Sequence, residues 1–354
     1  MINEKVIDTH LHIEAWENSE YPSFIDCFEG HREQSGLSSF NICCLPTAER
    51  TVCNNMMAAF YKIAHPNTYA HGGFDHIIWP ITDNMPEGMD LVTQYRELME
   101  IGFDGIKMIE GKPTVLKRIG NDLCHPALDR VYAEMERDGT HVVFHINDPD
   151  VFWDKDKVDP EHVKRGWFYG DGTYSTYEQI WDMAHKIFEA HPNMNITLAH
   201  FFFCGECPEH LEELFAKYPN LAVDLTPGCE MYHSFESRPE YFRDFFERNS
   251  KRVMLGTDGT FPWGTHCHVW CMDILYRYIT TRDSMMAFDD SILTGIALEG
   301  EVKEDILYKN FEHRVGREPK AINKAALKAY IDKYKHLLNE EELSHIEPLY
   351  NKYL

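Results

Sequence analysis

The chain has 354 residues, 44% of them hydrophobic and 26% charged, which is enough apolar material for a large core. Its formal net charge of −24 repels nucleic-acid phosphates and anionic membrane surfaces, so neither is an expected partner. There is no signal peptide and no apolar run long enough to span a bilayer, so a cytoplasmic location with reduced thiols is expected for the ten cysteines.

The first predicted strand covers residues 5–13, "KVIDTHLHI". Strand side chains alternate between faces, so Asp8, His10 and His12 are predicted on one face and Thr9, Leu11 and Ile13 on the other. Two imidazoles two residues apart can grip one metal ion. The plainer alternative is a buried polar cluster satisfied by hydrogen bonds. Further apolar runs follow at 40–47, 68–75, 104–110, 140–148, 195–201, 221–227 and 252–258. Helical periods lie between them at 90–102, at 126–139 with Gly139 as the stop, at 177–192 and at 208–219.

Eight apolar runs alternating with helices predict an α/β fold, a closed (β/α)8 (TIM) barrel. The rival is an open doubly wound sheet, which a GxGxxG after the first strand would favour. His10-Leu11-His12 stands in that place instead. Beyond residue 300 the pattern is helical. Residues 304–316 are predicted to close the barrel, which is assigned residues 1–316. Residues 317–354 form a C-terminal helical extension packed on the barrel or on a partner subunit, which leaves room for a homo-oligomer.

Polar residues interrupt the apolar runs near their C-terminal ends: Lys107, His145, His200 and Asp258. That end is where barrel enzymes carry chemistry. The interval from His10 to Lys107 fits three βα steps of roughly 30 residues, and the later intervals fit single or double steps. The exception is the step from His145 to His200, which is about 25 residues too long for one βα unit. A long loop, roughly residues 148–175, is therefore predicted over the mouth. Three or four imidazole and carboxylate ligands suit Zn2+, with Mn2+, Fe2+ or Co2+ as alternatives. Such a metal lowers the pKa of a coordinated water and polarises a carbonyl, while Asp258 can carry the proton.

These residues resemble the amidohydrolase superfamily: Asp8-x-His10-x-His12 on strand one, His145 on strand five, His200 on strand six and Asp258 on strand eight. "GFDGIKMIE", "LGTD" and "KNFEHRVG" are similar to the amidohydrolase-related branch, which contains decarboxylases of the aminocarboxymuconate-semialdehyde type, hydratases and lactonases. The resemblance implies that His10, His12, His145 and Asp258 hold one metal and that His200 binds or polarises substrate. In two-metal relatives a strand-four lysine is carbamylated, which would give Lys107 and His200 a second ion. In the decarboxylase-like branch Lys107 would meet a substrate carboxylate, and a buried ion pair is the third reading. One departure is the loop "DGTFPWG", which replaces the branch's usual "DxP" after strand eight.

The resemblance implies a metal-dependent hydrolase that cleaves a C–N or C–O bond, in a cyclic amide or lactone, of a small organic acid. The alternative is a lyase, a non-oxidative decarboxylase or hydratase, at the same site. A small-molecule substrate, expected to be a carboxylate, gives Arg50, Lys107 and Trp263 candidate binding roles. Glu230 and His233 lie near the mouth. His266 and His268 are expected at the surface or behind the ligands. The aromatic and basic residues of 148–175 either contact substrate or anchor the loop. Cys204-Gly-Glu-Cys207 reads as ordinary thiols or as a metal knuckle.

Overall fold

The computed structural model of the chain describes residues 2–13, 21–45, 51–75, 89–228, 231–260 and 264–354. Arg50, Glu230, Pro262 and Trp263 lie outside the described residues.

All eight predicted strands are present, and all but β4 are shorter than their apolar runs. They are β1 (Ile7–Ile13), β2 (Ser39–Cys44), β3 (Tyr69–Gly73), β4 (Gly105–Gly111), β5 (His141–Ile146), β6 (Ile196–Leu198), β7 (Leu221–Asp224) and β8 (Val253–Met254). Each pairs in parallel with the next. A two-residue strand, β9 (Gly259–Thr260), continues the eighth and pairs with Leu11 and His12 of β1. Thr9 N–H donates to Leu255 O and Asp258 N–H donates to His10 O, each at 2.9 Å. Those bonds close the sheet into the TIM barrel.

The helices follow the strands in order: α1 (Tyr21–Ser35), α2 (Thr51–Ala64), α3 (Leu91–Ile101), α4 (Pro113–Arg118), α5 (Pro126–Asp138), α6 (Pro160–Lys164), α7 (Tyr177–Ala190), α8 (Pro208–Lys217), α9 (Met231–Ser237), α10 (Pro239–Asn249) and α11 (Gly264–Thr280). Gly139 ends α5 at φ 65°, the left-handed geometry that glycine adopts without steric cost. A hairpin of β10 (Ser284–Met286) and β11 (Ile292–Thr294) comes next. The predicted closing helix is α12 (Gly300–Glu304), a π turn over Asp305–Lys309 and α13 (Asn310–Val315). Its Phe311 plugs the barrel floor against Ile7, Tyr69, Ala222 and Met254.

The C-terminal helices α14 (Lys324–Tyr334) and α15 (Glu340–Tyr353) pack on barrel helices of the same chain. Asn323 N–H donates to Ile101 O at 2.8 Å, Asn55 Nδ2 to Tyr330 Oη at 3.2 Å, and the rings of Phe60 and Tyr353 lie 6.1 Å apart. Among the described residues no helix is long and apolar enough to cross a membrane.

One expectation for β1 is corrected. Asp8 does not share a face with His10 and His12, because the β1–β2 register shifts between Asp8 and Leu11. The bulge turns Asp8 toward the helix layer, where its Oδ2 meets His31 Nε2 of α1 at 3.1 Å. Asp8 also accepts from Thr257 N–H at 3.0 Å and Thr257 Oγ1 at 2.7 Å. It therefore stitches the first strand to the last.

Above Phe311 a chain of neutral polar groups crosses the barrel. Asn41 Nδ2 donates to Thr9 O, which leaves its Oδ1 to accept from His71 Nδ1 at 2.7 Å. His71 Nε2 then accepts from His141 Nδ1 at 2.8 Å, and His141 Nε2 from Thr197 Oγ1 at 2.7 Å. Burial, with the charge of Arg314, pushes the His141 pKa down to about 3.

The sign of the linkage follows. Between about pH 6.5 and pH 3 the unfolded chain binds a proton at this histidine and the folded chain does not. The stability His141 contributes is complete above pH 6.5 and lost as the pH falls. Over pH 5.5–4.5 the wild type is expected to lose about 1.4 kcal/mol per pH unit more than His141→Asn, read by urea unfolding. Equal slopes would overturn the assignment.

Candidate metal centre

The C-terminal ends of the strands bring most of the predicted residues together. His10 and His12 point into the barrel with ring centroids 4.6 Å apart. His12 Nε2 lies 2.8 Å from Asp258 Oδ1, and His10 Nε2 lies 3.8 Å from the same oxygen. Asp258 reaches them because its φ is 57°, a left-handed conformation that a short acidic side chain tolerates better than most. Gly256 permits the approach: a Cβ there would sit 2.8 Å from His10 Cβ. One nitrogen from each histidine and one Asp258 oxygen all lie within 4.8 Å of one another. Among the described residues this is the group of three or more metal-ligating side chains that could hold an ion.

The protonation states suit a cation. His10 Nδ1 is 2.8 Å from Asp224 Oδ2, so Nδ1 carries the proton and Nε2 presents its lone pair to the interior. Burial, then the charge of Lys107, keeps the His10 pKa well below the usual value and the ring neutral. Burial would raise the Asp258 pKa, but the imidazoles of His200, His12 and His10 outweigh it and hold the carboxyl below its usual range. Two inward imidazoles and an ionised carboxylate are the donor set of a Zn2+-type site, so the residues fit a divalent transition metal.

Lys107 is wholly buried at the floor of the site. Its Nζ lies 2.9 Å from His10 Nε2 and shares the lone pair that a metal would take. Burial lowers its pKa, opposed by the neighbouring anionic groups.

His145 and His200 form a second pair. His200 Nε2 faces His145 Nδ1 at 3.2 Å, and the pair is not part of the group formed by His10, His12 and Asp258. His145 Nε2 lies 3.0 Å from Asp148 Oδ1, which directs Nδ1 inward. Burial, with the charge of Lys112, pushes the His145 pKa down to about 3. Burial lowers the His200 pKa as well, and its buried Nδ1 has no hydrogen-bond partner. His200 begins a turn in which it and Phe201, Phe202 and Phe203 all have φ of 54–56°. Each left-handed non-glycine residue costs roughly 1–2 kcal/mol, so strain is concentrated beside the site. His200 N–H donating to Asp224 Oδ1 at 2.9 Å helps to hold the turn.

Four partners went unnoticed in the sequence. Asp224 orients His10 and His200, and it is a polar residue inside the seventh apolar run, at the C-terminal end of β7. The rule that found Lys107, His145 and His200 would have found it. Asp148 orients His145 and accepts from both Lys112 Nζ at 3.0 Å and Tyr169 Oη at 2.6 Å. Neither Lys112 nor Tyr169 carries a local signal of that contact.

The other candidates lie away from the ligands. The 148–175 aromatics make a small core of their own, with Phe152, Val158 and Tyr169 buried against Trp153, Trp167, Phe168 and Tyr174. Three of the loop's cations pair locally: Lys157 with Asp154, Lys164 with Glu161, and Arg165 over the Trp167 ring. His233 is half exposed beside Glu236, and His266 is exposed. His268 is buried, with Nε2 2.8 Å from Thr260 O.

The class defined by this fold and site is a (β/α)8-barrel enzyme with an inward cluster of histidines and carboxylates. A family model described as amidohydrolase matches residues 65–310, and the chain belongs to that family. A comparison with curated proteins finds no match. Solved structures share the fold at low identity. The IDCase of Metarhizium anisopliae superposes at a TM-score of 0.55 with 10% identity over 88% of this chain and 97% of its own. A 2,6-dihydroxybenzoate decarboxylase gives 0.52, 11%, 89% and 99%. A TIM-barrel protein from Bordetella bronchiseptica gives 0.51, 12%, 89% and 100%.

Removing the Asp148 carboxylate takes the anionic partner from a buried histidine N–H and an ammonium and one acceptor from the Tyr169 phenol. Asp148→Ala is expected to lose about 3–5 kcal/mol of stability, measured by chemical denaturation. A loss below about 1 kcal/mol, the range of an exposed pair, would show that the cluster carries no such load.

Proposed function

We propose that the chain is a metal-dependent hydrolase that opens a C–N or C–O bond, as in a cyclic amide or lactone, of a small organic acid. The observation that carries this reading is the convergence of His10 Nε2, His12 Nε2 and Asp258 Oδ1 at the mouth, with His145 and His200 beside them. His10, His12 and Asp258 would hold the ion, with His145 Nδ1 the fourth donor. A bound divalent metal would acidify a water and polarise the substrate carbonyl. Asp258, kept ionised, takes the proton of the attacking water and returns it to the leaving group. The unpartnered Nδ1 of His200 is a hydrogen-bonding position for substrate. Zn2+ is the ion proposed, and an amidohydrolase from Burkholderia multivorans of the same fold was solved with bound zinc.

A second reading is non-oxidative decarboxylation, the activity named for one structure of similar fold. What favours it is Lys107, a buried cation on the site floor that a substrate carboxylate could meet. Lys107 also decides the ion count. As a free amine it leaves one ion, whereas as a carbamate it would bridge two, the second held by His145 and His200.

Metal analysis of the isolated protein is expected to give about one transition-metal equivalent per chain. His10→Ala/His12→Ala should lose both metal and turnover. Turnover retained in that variant would sink the ligand assignment. Two equivalents with a carbamate mass on Lys107 would replace the one-metal site by the bridged one. Screening lactones, cyclic amides and aromatic acids while following CO2 separates the two reactions. Release of CO2 without ring opening would overturn the hydrolase.

A further inference from the structure

The segment that leaves β6 carries a pair of thiols that the metal centre does not use. The left-handed turn from His200 ends on Cys204, which is buried, and the exposed Cys207 is the N-cap residue of α8. Cys207 N–H donates to Cys204 O at 3.2 Å, and the Cys204 thiol, which donates to Phe202 O at 3.5 Å, also lies within hydrogen-bond reach of the Cys207 sulfur. The two residues between them are clamped to α9. A Cβ on Gly205 would lie 2.9 Å from Ser234 Oγ and 3.0 Å from Met231 Cα, and Ser234 Oγ donates to Glu206 Oε1 at 2.6 Å. The backbone thus keeps the two sulfurs together, one facing solvent and one behind it.

The chemistry of Cys207 differs from that of five other thiols. Burial pushes up the pKa values of Cys27, Cys43, Cys44, Cys124 and Cys271. Cys207 goes the other way. The hydrogen bond from Cys204 lowers it, against partial burial and the carboxylates of Glu209, Asp150 and Glu206. Its position at the N-terminus of α8 adds the helix dipole in the same direction. A thiolate is the reactive form of cysteine.

We propose that Cys204 and Cys207 are a redox-active pair, in which Cys207 reacts first with a peroxide and Cys204 resolves the product as a disulfide. The Cys207 thiolate attacks one peroxide oxygen. The O–O bond breaks, hydroxide leaves and takes up a proton as water, and Cys207 becomes a sulfenic acid. The Cys204 sulfur then attacks the Cys207 sulfur, the S–O bond breaks, a second water leaves and the S–S bond forms. Two thiols are oxidised by two electrons and one peroxide is reduced to two waters. The disulfide would close a ring on the loop that begins at His200. Nothing in this pairing rests on the proposed metal or reaction.

The test is peptide mapping of the reduced full-length chain after stoichiometric hydrogen peroxide and an alkylating quench. The peptide holding both cysteines is expected to lose two hydrogen atoms in mass and to escape alkylation. Cys124 should stay alkylated, and dithiothreitol should reverse the change. In Cys204→Ser, Cys207 should stop at the sulfenic acid and be trapped by dimedone. In Cys207→Ser, oxidation at Cys204 should slow by about tenfold or more, as expected when the more thiolate-rich partner is removed. The proposal is overturned if the pair is alkylated as fully as Cys124. It is also overturned if either cysteine links to Cys229, or if Cys207 reaches the sulfinic acid while Cys204 stays reduced. The wild-type map decides the question even if a variant fails to fold.

Discussion

The barrel is closed by the way β1 is fastened to the strand that ends it, and the rest of the site depends on that seam. Asp8 takes a backbone N–H and a hydroxyl from Thr257 and faces His31 on its other side. The bulge that turns Asp8 outward lets His10 and His12 both face inward further along the strand. On the opposite side of the seam, Asp258 N–H bonds to His10 O. The same closure therefore sets the strand register and places the carboxylate against both imidazoles. A one-residue slip would send the histidines to the helix layer.

Burial sorts the charges of the site into a useful pattern. Fully buried imidazoles stay neutral because desolvation penalises the imidazolium, while Asp258 stays ionised because several imidazoles surround it. Neutral nitrogen lone pairs beside an ionised oxygen are what a divalent cation requires. Asp224 and Asp148 sit behind the rings and fix which nitrogen faces inward. Asp224 reaches His10 from a strand distant in sequence, so that ring's tautomer is a product of the closed barrel, whereas Asp148 lies three residues after His145 and acts locally. The strained turn at His200 belongs to the same design. Asp224 accepts its first N–H, so one buried carboxylate steadies both His10 and His200.

The long segment after β5 shows how two readings of one composition are separated. Its aromatics could have faced a substrate, but they bury one another, and Lys157, Lys164 and Arg165 find partners within the segment. What it contributes to the site is Asp148, on His145, with the Tyr169 phenol bonded to it. The C-terminal helices lie on α2 and α3 through contacts such as the hydrogen bond from Asn55 to Tyr330.

The sequence by itself determined the eight-strand alternation, the helix stop at Gly139 and the polar residues at the strand ends. Each is a local consequence of periodicity, of φ preference, or of a polar side chain breaking an apolar run. It could not place Asp8, because a bulge depends on the hydrogen bonds of neighbouring strands, and in isolation β1 alternates regularly. It also could not pair His145 with His200 apart from His10, His12 and Asp258, or find Asp148 behind His145. The first of these joins residues far apart in the chain, which only the curvature of the sheet brings within hydrogen-bond reach, and the second depends on how the backbone turns just after β5.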